Sequence, residues 1–298
     1  MNKPNFILIG GQKCGSSALY HALHQHPDIF MSQPKEPRFF ITDGGPSPYR
    51  THPTASVIAN WYEYLTIFDK ATDQRARGEA SIIYLSSYYP ERTAARIRHR
   101  LPDVRLIAVL RQPAERAYSA FTYFRSRNLE MSPTFEAALA AEPARIQAED
   151  WPDLRYRLNG CYHANLTPFY AQFPEQQIRV YLYEDWNERP AAVLKDIFRF
   201  LGVDDQVTIQ PQRKTVTRYS RSQRMAQILT QWKMVQRWPV TMVPATWRHR
   251  GYNYLKRVNQ VKPPPMSPHI RRSLTESYSD DILQLQTLLD RDLSHWLA

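Results

Sequence analysis

Three things are scarce in this chain of 298 residues. Cysteine occurs only at Cys14 and Cys161, with no CxxC pair and no Cys/His cluster, so neither a disulfide framework nor a structural zinc site is expected. Long apolar runs are missing, so no transmembrane helix is expected. The run Phe6–Ile9 is too short for a signal-peptide core and leads straight into Gly10 and Gly11, which predicts a cytoplasmic chain that starts on a structural strand. Acid is absent from Gln206 to Thr275, a window that holds 14 Lys and Arg. Outside it, 25 basic residues face 28 acidic ones, so the net charge of +11 is a regional feature. Trp232, Trp238, Trp247, Tyr219, Tyr252 and Tyr254 share the window. Such a segment reads as a solvated basic face, as a lid over an anion, or as a surface for peripheral contact with anionic lipid.

What is present is ordinary globular material. Hydrophobic residues make up 43% and charged residues 22%, which argues against disorder, collagen-like repeats and coiled coil. The length suits one large α/β domain or two small ones. A basic balance favours anionic partners without choosing among nucleic acid, nucleotide, sulfated or phosphorylated substrate, and membrane.

Short apolar runs alternate with helical spacing along the chain. Phe6–Ile9, Val104–Leu110 and Ile178–Tyr183 read as buried parallel strands. Helices are expected over 16–26, 57–68, 92–100, 114–125, 165–173 and 190–201, with Gly202 as a C-cap. Pro113 suits a first helical position. Pro263–Pro265 reads as a linker before a last helix at about 279–297. Alternation of this kind implies a doubly wound parallel sheet. The expectation is a single α/β, P-loop-like domain over 1–298, with a core at about 5–205 and a mostly helical basic extension at 206–298.

Between the first strand and the first helix lies Gly10-Gly11-Gln12-Lys13-Cys14-Gly15-Ser16-Ser17. Free backbone N–H groups and the helix dipole make such a junction an anion site, and glycines allow close approach. Lys13 adds a charge; Ser16 and Ser17 add hydroxyls. The spacing of Gly10 and Gly15 fits the P-loop GxxxxGK[ST], but Ser16 stands at the lysine position and Lys13 lies inside the loop. That departure suggests a grip on a nucleotide without cleavage of a γ-phosphate. The second strand ends in Arg111, which faces the ligand crevice of an open α/β sheet. Ser119 follows on the next helix, and an arginine with a hydroxyl suits a terminal phosphate.

Together these segments resemble the sulfotransferase superfamily, which transfers a sulfuryl group from 3′-phosphoadenosine 5′-phosphosulfate (PAPS). Gly11–Leu19 is similar to its 5′-phosphosulfate loop and Leu110–Ser119 to its 3′-phosphate motif. Lys35-Glu36-Pro37-Arg38-Phe39-Phe40 resembles a segment of heparan-sulfate-type and related bacterial members, and Gly78–Ser81 a further family segment. The resemblance implies PAPS as co-substrate and no metal. It implies that Gln12, Lys13, Cys14, Gly15, Ser16, Ser17 and Ala18 hold the 5′-phosphosulfate, and Arg111 and Ser119 the 3′-phosphate. Arg213, Lys214 and Arg218 fall in a basic loop that closes over the nucleotide in the family. Lys13 would stabilise the leaving oxygen, and Glu36, with Glu79 as second candidate, would be the catalytic base. Arg38 stands where the family commonly has histidine, and Ala80 where heparan-type members have lysine. The acceptor is then a glycan, lipid or small molecule, and nucleic acid is not an expected partner.

Two rivals remain at this level. A P-loop kinase or NTPase would read Asp185, after the third strand, as a magnesium ligand. A non-catalytic membrane-surface module would explain the basic window but leave the loop unexplained.

Overall fold

The structure is a computed structural model. It describes residues 2–45, 58, 60–86, 88–211, 219–220, 225, 245–261 and 263–298. Arg213, Lys214 and Arg218 lie outside the described residues.

Strand β1 (Phe6–Gly10) is buried along its whole length, as its unbroken apolar run requires of a strand covered on both faces. It lies at the centre of a five-stranded sheet with β2 (Ile29–Met31), β3 (Ala76–Ala80), β4 (Arg105–Leu110) and β5 (Ile178–Leu182), in the order β2-β3-β1-β4-β5. All pairs are parallel, with Ile7 opposite Glu79 of β3 and Leu106 of β4. After β3 the chain crosses to the far side of β1 to make β4. That reversal opens a crevice at the carboxyl ends of β1, β3 and β4, where a ligand of a doubly wound sheet binds.

Helix α1 (Ser16–Leu23) follows the first strand, and α2 (Phe39–Thr42) and α3 (Trp61–Thr66) precede β3. Helix α4 (Pro90–Arg100) leads into β4, and α5 (Pro113–Ser126) leaves it. Gln112 caps α5 by accepting the Glu115 N–H at 2.8 Å, and Pro113 opens the helix, whose first N–H groups need no partner within it. Helices α6 (Phe135–Ala140), α7 (Glu142–Gln147) and α8 (Tyr162–Gln172) precede β5, and α9 (Tyr183–Glu188) and α10 (Pro190–Leu201) follow it. Gly202 closes α10 at φ 74°.

Two apolar layers sandwich the sheet. One joins Ile7, Leu106 and Ala108 to Phe39, Tyr64, Phe121 and Leu166; the other joins Phe6, Leu8 and Ile107 to α1 and α10. The first layer also takes in Leu274, Tyr278, Ile282, Leu285 and Trp296. These come from the C-terminal helix, Pro268–Leu289, and the turn after it. The end of the chain therefore belongs to the core packing.

Several elements differ from the sequence expectation. The last helix begins at Pro268 and stops at Asp290, whose φ of 46° breaks it, instead of running over 279–297. The short strands β2 and β3 were missed because a three-residue strand carries no readable period and β3, Ala-Arg-Gly-Glu-Ala, has no apolar run. Among the described residues, the helix expected over 57–68 runs over Trp61–Thr66, where Asn60 accepts the Glu63 N–H. Tyr183, assigned to the third strand, begins α9. The region expected to be mostly helical contains the helix Ala245–Asn259 but also an antiparallel pair, Tyr219–Ser220 with Gln260–Val261.

Candidate active site

The loop after β1 turns across β4, with Gly11 N–H donating to the Val109 carbonyl at 2.7 Å. Gly15 caps α1 at φ 92°, a conformation that side chains resist, and a Cβ there would lie 3.2 Å from the rings of Trp186 and Tyr183. The first turn of α1 thus starts at the crevice, where the N–H groups of Ser16 and Ser17 have no partner within the helix, whereas the Ala18 N–H, expected from the sequence to join them, donates to the Gly15 carbonyl at 2.9 Å. Lys13 adopts φ 62°, and its ammonium lies 4.0 Å from the ring centre of Tyr123, a residue of α5. Arg127 stacks on the same ring at 4.6 Å.

Gln12 and Cys14 point inward. The Gln12 amide donates to Asp153 Oδ1 at 2.7 Å and accepts from Arg116 at 3.1 Å, so its side chain braces the loop from below. Arg116 is fully buried and also donates to the Tyr156 carbonyl. Cys14 is buried, and burial pushes its thiol up to about 11, which leaves no thiolate for nucleophilic chemistry near neutrality. The Cys14 side chain, grouped in the sequence with the residues that hold the 5′-phosphosulfate, is instead fully buried beneath the loop. Cys161 is half-buried.

The second anchor adjoins the first. The Arg111 guanidinium lies 4.9 Å from the ring centre of Tyr183, the ring that also walls Gly15. Tyr162 donates to the Arg111 carbonyl at 2.8 Å and sits 3.7 Å from Cys14 Sγ. Arg111 pairs with Glu115 at 3.5 Å, and Arg271 of the C-terminal helix approaches the same carboxylate at 3.7 Å. Ser119, one turn beyond Glu115, is half-buried on that face of α5.

Glu36 enters from the segment between β2 and α2. Its backbone N–H donates to the Ala80 carbonyl at the end of β3, and Glu36 and Arg38 both adopt positive φ, 65° and 58°. The Arg38 N–H donates to Ser81 Oγ. These bonds pin the segment across the end of β3. Lys35 bridges it to the loop: its ammonium donates to Ser17 Oγ at 3.1 Å and to Glu36 Oε1 at 3.2 Å. Arg38 approaches the other Glu36 oxygen at 3.8 Å. Burial raises the Glu36 carboxyl above its ordinary value; Lys35 and Arg38 oppose this, and Asp153 adds to it.

Glu79, the second base candidate, is fully buried on β3 beneath the aromatic layer, accepting from Tyr64 at 3.4 Å. Burial raises its carboxyl to about 8, against the pull of the Ser81 and Tyr84 hydroxyls. It is a neutral acid near pH 7, walled off from the crevice mouth that Glu36 borders.

Among the aromatic residues that could face an acceptor, Phe124 and Tyr156 are core, while Tyr123 and Trp151 are partly exposed. Sequence reading missed Asp153, and it took Arg116 and Lys35 in only as members of their motifs, without these contacts. Asp153 gives no local signal, because the fold brings it 141 positions along the chain to Gln12. Asp185, the acid a kinase would need for magnesium, is held in ion pairs by Arg189 at 3.2 Å and Arg291 at 2.5 Å.

Residues 3–240 match the model of the sulfotransferase domain family. A bifunctional heparan sulfate N-deacetylase/N-sulfotransferase 2 from Bos taurus is 27% identical over 213 residues, covering 67% of this chain and 22% of the relative. The human N-deacetylase/N-sulfotransferase 3 is 24% identical over 305 residues, 99% of this chain and 31% of that protein. The chain thus spans under a third of the length of these relatives. A solved sulfotransferase from Alicyclobacillus acidocaldarius superposes with a TM-score of 0.77, 28% identity and full coverage of both chains. The mouse sulfotransferase SULT7A1, solved with PAP, gives a TM-score of 0.51 at 15% identity, covering 94% of this chain and 84% of that one.

Proposed function

The chain belongs to the sulfotransferase family, and from that premise we propose that it transfers the sulfuryl group of PAPS to a hydroxyl or amine of a glycan, lipid or small-molecule acceptor. The observation that carries this reading is the meeting of three parts at one sheet edge. These are the loop with Lys13, the Arg111 anchor joined to it through Tyr183 and Tyr162, and Glu36 tied to Ser17 through Lys35.

Each part has a role in an in-line displacement, which is positioning and charge stabilisation more than covalent chemistry. The N–H groups of Gly15 to Ser17 and the Ser16 and Ser17 hydroxyls hold the 5′-phosphosulfate. Arg111 and Ser119 hold the 3′-phosphate. Glu36 takes the acceptor proton as the acceptor oxygen or nitrogen bonds to sulfur. The bond from sulfur to the 5′-phosphate oxygen breaks, and Lys13 stabilises the charge that gathers there. Arg213, Lys214 and Arg218 are proposed to close over the nucleotide. The reaction so drawn takes no metal.

The relatives carrying an N-deacetylase activity are longer than this chain, and Arg38 and Ala80 depart from the heparan-type pattern. A different acceptor from theirs fits these departures. The helix Ala245–Asn259 carries Arg248, Arg250, Lys256 and Arg257 with exposed Tyr254 and Val258, which supports peripheral contact with an anionic membrane. Among the described residues no helix is long and apolar enough to cross a membrane. Co-sedimentation with anionic against zwitterionic vesicles tests the contact.

Adenosine 3′,5′-bisphosphate should raise the melting temperature with no magnesium present; a shift that appears only with ATP and magnesium would point to a kinase instead. In a screen of acceptors with labelled PAPS, Lys13→Ala and Glu36→Gln should each lose transfer by about two orders of magnitude or more. Glu36→Gln should still bind the bisphosphate. Near-normal turnover by that variant removes Glu36 from the base role.

A further inference from the structure

We propose that Lys35 is a positioning residue that couples occupancy of the phosphosulfate loop to the proton affinity of Glu36. This rests on the PAPS reading above and assigns a role to a residue outside the loop and anchor motifs.

The geometry is specific. One ammonium lies within hydrogen-bond distance of Ser17 Oγ, at 3.1 Å, and of Glu36 Oε1, at 3.2 Å. Ser17 belongs to the first turn of α1, where the anion sits; Glu36 is the carboxylate that receives the acceptor proton. The lysine is partly buried, with 23% of its side chain exposed, so solvent only partly screens the exchange of partners. An ammonium is a compact point charge with three donors on a flexible stem, suited to shifting between two acceptors. With the loop empty, Lys35 opposes the rise that burial imposes on the Glu36 carboxyl. When an anion docks at Ser17, the ammonium leans toward it and its hold on Glu36 weakens. The carboxylate then binds a proton more tightly. At a pH above its new pKa it stays ionised and is the stronger base. The base is strengthened only when the donor is in place.

Four groups face Glu36: Lys35 and Arg38 from its own segment, Asp153 from the turn Pro152–Leu154, and Glu79 from β3. Arg38 lies at 3.8 Å from the other carboxylate oxygen and, among the described residues, makes no hydrogen bond to the loop, so it sustains a steady charge while Lys35 moves. A carboxyl whose pKa rises on binding takes up a proton, so affinity gains as pH falls through the window between its free and bound pKa and is lost as pH rises through it.

The test needs no acceptor. Calorimetric titration of the full chain with adenosine 3′,5′-bisphosphate, in buffers of different ionisation heat, counts the protons taken up. The excess of wild type over Glu36→Gln isolates Glu36, because the ligand phosphates, Asp153 and Glu79 titrate in both. A clear excess, on the order of half a proton near the midpoint of the window, is expected. Lys35→Met should cut that excess by more than half and weaken binding by about tenfold, the loss of a charge-assisted contact. Lys35→Arg should keep both. Ser17→Ala, which removes the other end of the bridge, should reduce the excess as Lys35→Met does and serves if the latter misfolds. An unchanged excess in Lys35→Met and Ser17→Ala, or no excess in wild type, overturns the coupling. Failure of the wild-type chain to bind the bisphosphate overturns the nucleotide reading itself, a distinct result.

Discussion

At the scale of single residues, carboxyls at one sheet edge are set apart by their surroundings. Glu36 sits among cations at the crevice, while Glu79 sits among aromatic rings. Burial raises both carboxyls, but cations oppose it at Glu36, whereas Glu79 rises to about 8 and is a neutral, structural acid near pH 7. The raised value of Glu79, about 8, also ties it to stability. The folded state binds its proton more tightly than the unfolded chain. That contribution is whole below the unfolded carboxyl pKa and is lost as pH rises through about 8. Glu79→Gln, which cannot ionise, should therefore gain on wild type between pH 5 and pH 9, by roughly 3 kcal/mol in urea denaturation. Parallel curves for the two proteins would show that Glu79 is not desolvated as the fold implies. The cationic residues were legible in sequence because a loop and a strand end announce them. Lys35 was quoted in its motif, but its reach to Ser17 was not readable, since 18 positions separate them and only the fold closes the gap.

At the scale of elements, β3 shows why a site strand can escape a pattern search. It holds two charged residues and a glycine in five, yet lies beside the central strand. Gly78 is there because the Phe6 ring of β1 occupies the space a side chain would need: a Cβ would come within 2.2 Å of it. Gly78→Ala should destabilise the protein by about 1–3 kcal/mol, the ordinary cost of overpacking. It should also weaken any activity that depends on Glu36, whose N–H hangs on the Ala80 carbonyl of the same strand. A variant that melts with wild type would place slack between β1 and β3 that the packing does not show. Helix α5, by contrast, was readable from Pro113, because a first-turn proline acts locally.

At the scale of the whole molecule, the charge excess and the core meet in the C-terminal segment. Its acid-free part was expected as an extension, but its last helix supplies Leu274, Tyr278, Ile282 and Trp296 to the layer that supports α5 and α8. The Gln112 amide donates to the Trp296 carbonyl at 3.1 Å and to Thr275 at 3.3 Å, so the residue that caps α5 beside Arg111 is held by the end of the chain. Trp296→Ala should cost about 3–5 kcal/mol by removing a buried aromatic side chain. It should also lower affinity for adenosine 3′,5′-bisphosphate more than for AMP, which lacks the 3′-phosphate. Equal losses for the two ligands would show that the segment supports the fold without reaching the Arg111 anchor.

The sequence alone determined the features that depend on neighbours in the chain. These are the strand–loop–helix anion site, the arginine at a strand's carboxyl end, the caps, and the parallel α/β class that follows from alternating periods. Only the tertiary structure decided which polar side chains face the crevice and which brace it. Gln12, inside the loop motif, turns inward to Asp153 and Arg116, whereas Lys35, outside it, reaches across to Ser17 and Glu36. The reason is physical: burial, desolvation and long-range pairing depend on what packs around a residue, and a linear pattern does not contain that information.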